Sequence, residues 1–339
     1  DAAGNKDNIS YDDMRLTIVK KAAIEVIEKI ADDPDKDFNI ALMSFDRDGN
    51  AHGGNIDMVM TPLSDAKTTF VSKMNAYTDG GGTPITESLD EALRYLRGDE
   101  VKYGDDSIST SKSGSRYISP VDNQCQENHI VLFSDGEPTV DNTSNTDIAT
   151  QFNALSHPRK TTLINDSGVN QCSLGSATTN SRNYYGTSYQ SNGITYTYSY
   201  SRRRNGRTYY YYTYTAGPGN SGYCAEELAL LAQVTDLVPD DQISGFQNVT
   251  FHTVGGFAGG AALNKLKNIA RFGTPLEVVN GVEQEQVKLS DPTIPFDAAS
   301  NPYVPKNYYS ADDSDGLKAQ LGVILSSKMM RPLPPPRSR

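Results

Sequence analysis

A short apolar strand that ends abruptly in a carboxylate constrains this chain more than any other segment. The segment HIVLFSDGEPT, residues 129–139, predicts a buried strand over residues 130–133, followed by Ser134-Asp135-Gly136. Uninterrupted apolar strands are typical of parallel sheets that are covered on both faces. In open α/β sheets, ligands bind outside the carboxyl ends of the strands. The pattern therefore predicts that Asp135 lies at a ligand site on one edge of a parallel sheet.

A second loop, about fifty residues upstream, supplies a complementary oxygen atom. The segment TDGGGTPITESL, residues 78–89, places Thr83 between a glycine run and Pro84, which marks a helix start. The Thr83 hydroxyl and the Asp135 carboxylate are both oxygen ligands, which suit a hard divalent cation such as Mg²⁺, Mn²⁺ or Ca²⁺. Two simpler interpretations remain open, with Thr83 as a helix cap and Asp135 as a turn residue.

The rest of the chain alternates predicted strands with predicted helices. Apolar spacing predicts helices over residues 11–30, 64–77, 84–96, 146–155, 225–234, 262–272 and 314–328, and strands over residues 38–45, 55–60, 129–133 and 249–255. This order predicts an α/β fold with a doubly wound, mostly parallel, Rossmann-like sheet and helices on both faces. We expect one domain over residues 1–330 with insertions near residues 156–223 and 281–307, and a proline-rich linker over residues 331–339.

The first insertion is rich in tyrosine and predicts a protruding β-hairpin. Twelve of the 20 tyrosines fall within residues 184–223, and Asn205-Gly206 is a strong turn signal between two strands of alternating pattern. Alternation places Tyr198 and Tyr200 on one face of the first strand. The predicted partner-binding residues are Tyr198, Tyr200, Arg203, Arg204, Tyr210 and Tyr212. The alternative is that this hairpin packs on its own parent domain.

Composition excludes several functional classes. The net charge is −11 and no long basic tract occurs, which argues against nucleic acid as a partner. No run of about 20 apolar residues exists, so no transmembrane segment is predicted. Ser134 lacks the G-x-S-x-G elbow of a hydrolase, and we do not expect an enzyme.

The chain opens on Asp1, for which we expect a processed or trimmed start.

Three cysteines, Cys125, Cys172 and Cys224, show no spacing typical of a zinc site. We favour a Cys172–Cys224 disulfide because it would close the tyrosine-rich insertion at its base. Cys125 would then pair outside this chain or stay reduced. A disulfide implies an oxidising compartment.

Four stretches together resemble a known family. They are GGGTPITESLDEALRYLRG (residues 80–98), CQENHIVLFSDGEPT (residues 125–139), CAEELALLAQVTDLVPD (residues 224–240) and GFQNVTFHTVGGF (residues 245–257). They resemble the von Willebrand factor type A domain, and within it the tip-associated adhesins of bacterial type IV pili (the PilY group). The resemblance implies a metal-ion-dependent adhesion site in which Thr83 and Asp135 are ligands.

One departure from the family pattern concerns the first metal loop. The family carries Asp-x-Ser-Gly-Ser on its first central strand, whereas Asp1-Ala2-Ala3-Gly4-Asn5 lacks both serines and no strand precedes it. We expect that the first central strand is missing by truncation rather than that the motif is degenerate. Asp1 is therefore not predicted to be a ligand.

The resemblance implies a secreted, pilus-tip adhesion and assembly module on a Gram-negative surface. Its expected partners are minor pilins and a host-cell or abiotic surface, met through the cation and the inserted hairpin. The alternative is a metal-independent structural or force-bearing module of a secreted surface protein.

Overall fold

The computed structural model describes most of the chain. The residues that it does not describe lie at the two ends, in parts of the insertions and in several loops. The described residues are 11–33, 38–46, 52–78, 80–124, 126–135, 138–139, 141, 143–166, 178–182, 186–191, 194–204, 207–214, 224–239, 242–256, 260–289, 303–311 and 314–327.

Eight α-helices are described, and seven of them follow the predicted apolar spacing. The helices are α1 (Tyr11–Ala31), α2 (Leu63–Ala76), α3 (Ile85–Arg97), α4 (Asn145–Ala154), α5 (Pro158–Ile164), α6 (Ala225–Val234), α7 (Gly260–Phe272) and α8 (Ser314–Ser327), with a 3-10 turn at Ser109–Ser111.

The strands form several small sheets rather than one. They are β1 (Asn39–Phe45), β2 (Gly54–Pro62), β3 (Lys112–Ser113), β4 (Arg116–Tyr117), β5 (Asn128–Ser134), β6 (Thr178–Arg182), β7 (Ser188–Ser191), β8 (Ile194–Arg204), β9 (Arg207–Tyr214), β10 (Val249–Gly256), β11 (Glu277–Val279), β12 (Val282–Gln284), β13 (Val287–Leu289), β14 (Tyr303–Pro305) and β15 (Tyr308–Ala311).

A three-stranded parallel sheet in the order β15-β10-β5 lies between the largest hydrophobic cluster and a second one. Alternate side chains of β5 pack into different clusters: Ile130 and Leu132 against α3, α6 and α7, and Val131 and Phe133 against α1 and α8. A strand that is apolar on both sides can be stable only when both faces are covered, which explains the uninterrupted run in the sequence. Strand β15, which joins this sheet, was not predicted.

The strands β1 and β2 form a separate antiparallel pair. Helix α1 packs against both sheets, since Ala22 lies in the cluster that contains Val131, and Val26 lies in the cluster that contains Met58. The mixed α/β class is therefore confirmed. Within the described residues, however, the parallel part has three strands and is not paired to β1.

The tyrosine-rich insertion forms a four-stranded antiparallel sheet in the order β6-β9-β8-β7, not a simple hairpin. Its first part is not an insertion at all, because α5 packs into the core. Leu163 of α5 is fully buried, and Arg159 donates hydrogen bonds to the carbonyl oxygens of Arg271 and Thr274.

A β-bulge changes which tyrosines share a face. In register, Tyr198 lies opposite Tyr212 but Tyr200 lies opposite Tyr211, so one extra residue stands between the two pairs. Tyr211 and Tyr212 are successive residues of β9 and therefore lie on opposite faces of the sheet. Their partners Tyr200 and Tyr198 lie on opposite faces for the same reason. The prediction that they share a face is wrong, since it assumed an unbroken period of two.

Candidate functional site

Asp135 follows directly after the carboxyl end of β5, as the sequence predicts. Its side chain is 42% exposed, whereas the preceding Ser134 is buried. One Asp135 oxygen lies 3.5 Å from a guanidinium nitrogen of Arg15 on α1. A cationic side chain therefore already lies beside the carboxylate that the sequence predicts to bind a metal ion.

Thr83 lies in direct contact with the segment that follows Asp135. The Thr83 N–H donates to the Thr139 hydroxyl oxygen at 2.8 Å, and the Thr139 N–H donates to the Thr83 carbonyl oxygen at 3.0 Å. We call the two loops that carry Thr83 and Asp135 the metal loops. This reciprocal pair of hydrogen bonds joins the two metal loops at the start of α3.

Asp141 also holds the start of α3 in place, and the sequence did not predict this role. Helix α3 begins after Pro84, which has no side-chain oxygen to cap it. The two carboxylate oxygens of Asp141 accept instead from the backbone N–H groups of Thr86 and Glu87, both at 2.8 Å. Burial raises the pKa of Asp141 to about 7, against the lowering effect of these hydrogen bonds.

Two buried glutamates of α3 hold three further loops. Glu87 accepts from the Gly53 N–H, from His52 and from both the N–H and the hydroxyl of Thr143. Glu91 accepts from the backbone N–H groups of residues 102–104 and from the Tyr117 hydroxyl at 2.7 Å. Both carboxylates are fully buried but well supplied with donors, so they act as structural connections rather than as reactive groups.

The donor set does not make a complete cation site. Hard divalent cations take six or more oxygen ligands, and Thr83 and Asp135 supply one hydroxyl and one carboxylate. Among the residues that the structure describes, no group of three or more His, Cys, Asp or Glu side chains is arranged to hold a metal ion. A cation at Thr83 and Asp135 would need further oxygen ligands, from other residues or from water.

Cys224 lies at the start of α6, fully buried, with its sulfur atom 3.4 Å from the Asn145 carbonyl oxygen. Cys224 is disulfide-bonded. Both Cys125 and Cys172 lie outside the described residues, so the Cys172–Cys224 pairing stays a prediction.

The β8–β9 ribbon carries the predicted partner-binding residues. Tyr200 is 49% exposed, and its ring stacks on Tyr211 with 4.7 Å between centroids. Arg203 is exposed, while Tyr198 and Tyr210 are half-buried. Arg204 lies opposite Arg207 in register, and the side chains of Arg204 and Tyr212 are not described.

Comparisons with known proteins identify no relative. No family model, no curated protein and no solved structure matches this chain. Within the described part of the chain, none of the helices combines the length and apolar character needed to cross a membrane.

Proposed function

We propose that this protein is an adhesion and assembly module that binds a partner through a divalent cation at the metal loops and through the β8–β9 ribbon. The resemblance to the von Willebrand factor type A domain of type IV pilus tip adhesins suggests minor pilins and a host-cell or abiotic surface as partners. It also suggests a secreted, cell-surface location. The observation that carries the proposal is the pair of hydrogen bonds between Thr83 and Thr139, which brings the two predicted metal loops together.

The proposal includes a single doubly wound sheet. Its two parts would be β1–β2 and β15-β10-β5, joined by a strand between β1 and β5 that is not among the described residues. Support comes from α1, which packs against both parts, and from Phe45 of β1, which packs into the same core as Leu132 of β5. Such a strand would pair backbone groups on β1 and β5 and would bring further oxygen ligands to Asp135.

In this proposal Thr83 and Asp135 would hold the cation, and the cation would supply positive charge for an acidic group of the partner. The chain's own residues have structural roles. Asp141 fixes the first turn of α3, and with it the position of Thr83. Thr139 holds the second metal loop against the first.

Metal titration tests this proposal. Mn²⁺ affinity would be measured by calorimetry on this chain and on a chain extended at its amino terminus by a strand ending in Asp-x-Ser-Gly-Ser. Asp135→Ala should abolish binding while changing the free energy of unfolding by no more than about 1 kcal/mol, because its carboxylate is partly exposed and partly exposed ion pairs contribute little. Asp32→Ala is the matched control, since Asp32 is also an exposed carboxylate paired with a cation, Lys67. Equal affinity in the extended chain and in its Asp135→Ala variant would refute the proposal.

A second candidate is a metal-independent structural or force-bearing module. The observation that favours it is the Arg15–Asp135 ion pair, which neutralises the carboxylate without a metal ion. In that case the β8–β9 ribbon alone would carry the partner contacts, and the extended chain would bind no Mn²⁺.

A further inference from the structure

A cavity of about 660 Å³ lies at the carboxyl end of α3, and it belongs to none of the sites described so far. Gly98 ends the helix in the left-handed conformation with a φ of 71°, and the chain turns there into the cavity wall. The side chains that matter for its chemistry are Arg97, Asp99, Arg116, Ser119, Asp236 and Gln242. The volume falls within the range of small-molecule binding sites.

Arg97 is the unusual member of this lining. Within the described residues its guanidinium makes no hydrogen bond and no direct ion pair, although it is only partly exposed and the nearby carboxylates of Asp99 and Asp90 act on it electrostatically. Its neighbour Arg94, three residues earlier on α3, is paired with Asp90 and donates to the Glu100 carbonyl oxygen. A guanidinium has five N–H donors, and a partly buried one is costly unless an anion or acceptors satisfy it. Burial lowers the pKa of Arg97, and the charges of Asp99 and Asp90 raise it only in part, so an added anion would stabilise the charged guanidinium further.

The other charges in the cavity restrict what the anion can be. Arg116 is already paired with Asp99 at 3.7 Å, and one Asp236 oxygen accepts from the Gln247 N–H. Two carboxylates in the lining would repel a ligand that is negative throughout. They would accept hydrogen bonds from hydroxyl groups, and Gln242 adds an exposed amide. A ligand that fits carries one carboxylate and several hydroxyl groups.

We propose that this cavity binds a small hydroxy-carboxylate of the sugar-acid class, with its carboxylate on Arg97 and its hydroxyl groups toward Asp236 and Gln242. Planar bidentate recognition of a carboxylate is the geometry for which a guanidinium is suited. The bland alternative is that Arg97 only complements the partial negative charge at the end of α3.

Calorimetric or NMR titration with glucuronate tests the proposal on the full chain, with glucose, glycine and sulfate as comparison ligands. Glucuronate should bind in preference to all three, because glucose lacks the carboxylate, and glycine and sulfate lack the hydroxyl groups. Arg97→Gln should weaken glucuronate binding at least tenfold, while Arg207→Gln on the β8–β9 ribbon should not change it. Arg97→Lys keeps the charge near the helix end but loses the planar fork, so it should also weaken binding while the protein stays folded.

Several outcomes would overturn this assignment. They are no glucuronate binding, glucuronate binding that Arg97→Gln leaves unchanged, and sulfate or glycine binding as tightly as glucuronate. If Arg97 acts only on the helix end, none of these ligands should bind to the parent protein or to the Arg97→Gln variant. Arg97→Gln should then only lower the melting temperature.

Discussion

The Arg15 guanidinium lies 3.5 Å from the Asp135 carboxylate, so a positive charge from α1 lies beside the proposed metal ligand. A cation that binds Asp135 must compete with this side chain. Arg15→Gln should therefore raise Mn²⁺ affinity in the extended chain, by about fivefold, because partly exposed ion pairs contribute up to about 1 kcal/mol. Calorimetry measures the change, with Arg207→Gln as the control for lost positive charge. Equal or weaker binding in Arg15→Gln would contradict competition and would indicate that Arg15 supports the site.

Asp141 should make stability depend on pH. Its folded pKa, about 7, is raised above the ordinary aspartate value of about 3.9, so the folded state holds a proton that the unfolded state releases. The resulting stabilisation is fully present below about pH 4 and is lost as the pH rises through 7. The free energy of unfolding should fall across this interval by an amount on the order of 4 kcal/mol.

Urea denaturation at a series of pH values checks this dependence. Asp141→Asn should be less stable at low pH, because its amide can accept from only one of the two N–H groups, but it should lose most of the pH-dependent decrease. Asp65→Asn, which changes an exposed carboxylate on α2, is the control. A decrease of the same size in Asp141→Asn would assign the pH dependence to other groups.

The disulfide partner of Cys224 should be Cys172. Cys224 directly precedes α6, where the chain returns to the hydrophobic core, so a bridge to Cys172 would close the tyrosine-rich insertion at its base.

Mass spectrometry of a non-reduced digest identifies the bridge. Cys172→Ser should remove it and cost roughly 4 kcal/mol for a loop of about fifty residues, while Cys125→Ser should keep it. A Cys125–Cys224 peptide would show that the prediction is wrong.

Removing residues 194–215 should leave the rest of the protein folded. The structure assigns none of β6–β9 to a hydrophobic core cluster, among the residues it describes. Far-ultraviolet circular dichroism and the melting temperature should change little, whereas binding to minor pilins or to a surface should weaken. Arg203→Glu, which reverses one exposed charge, should weaken the same binding and flatten its salt dependence. Loss of the folded protein on deletion would place these strands in the core instead.

The sequence predicted features that depend on local pattern. The apolar spacing of α1 and the uninterrupted run of β5 each match the structure within a residue or two at their ends. The contact between the metal loops was not predictable in this way, because the Thr83 loop follows the helix predicted over residues 64–77 and not a strand.

The sequence did not predict features that depend on distant contacts. Asp141 caps a helix that begins more than fifty residues earlier, and no local motif announces such a pairing. The bulge between Tyr198 and Tyr200 depends on the partner strand, so alternation along one strand gave the wrong face. Strand β15 was missed because its four residues are too few to show a period.

The buried glutamates of α3 have a consequence for how changes in this sequence should be judged. Positions 87 and 91 are charged and would ordinarily be treated as freely replaceable surface positions, yet each side chain fits a particular set of backbone N–H groups. Glutamine has the same shape but cannot accept on both arms, and aspartate is one methylene too short. In any redesign of this protein, positions 87 and 91 should therefore tolerate as few substitutions as Leu89 and Leu93, which form the apolar side of the same helix.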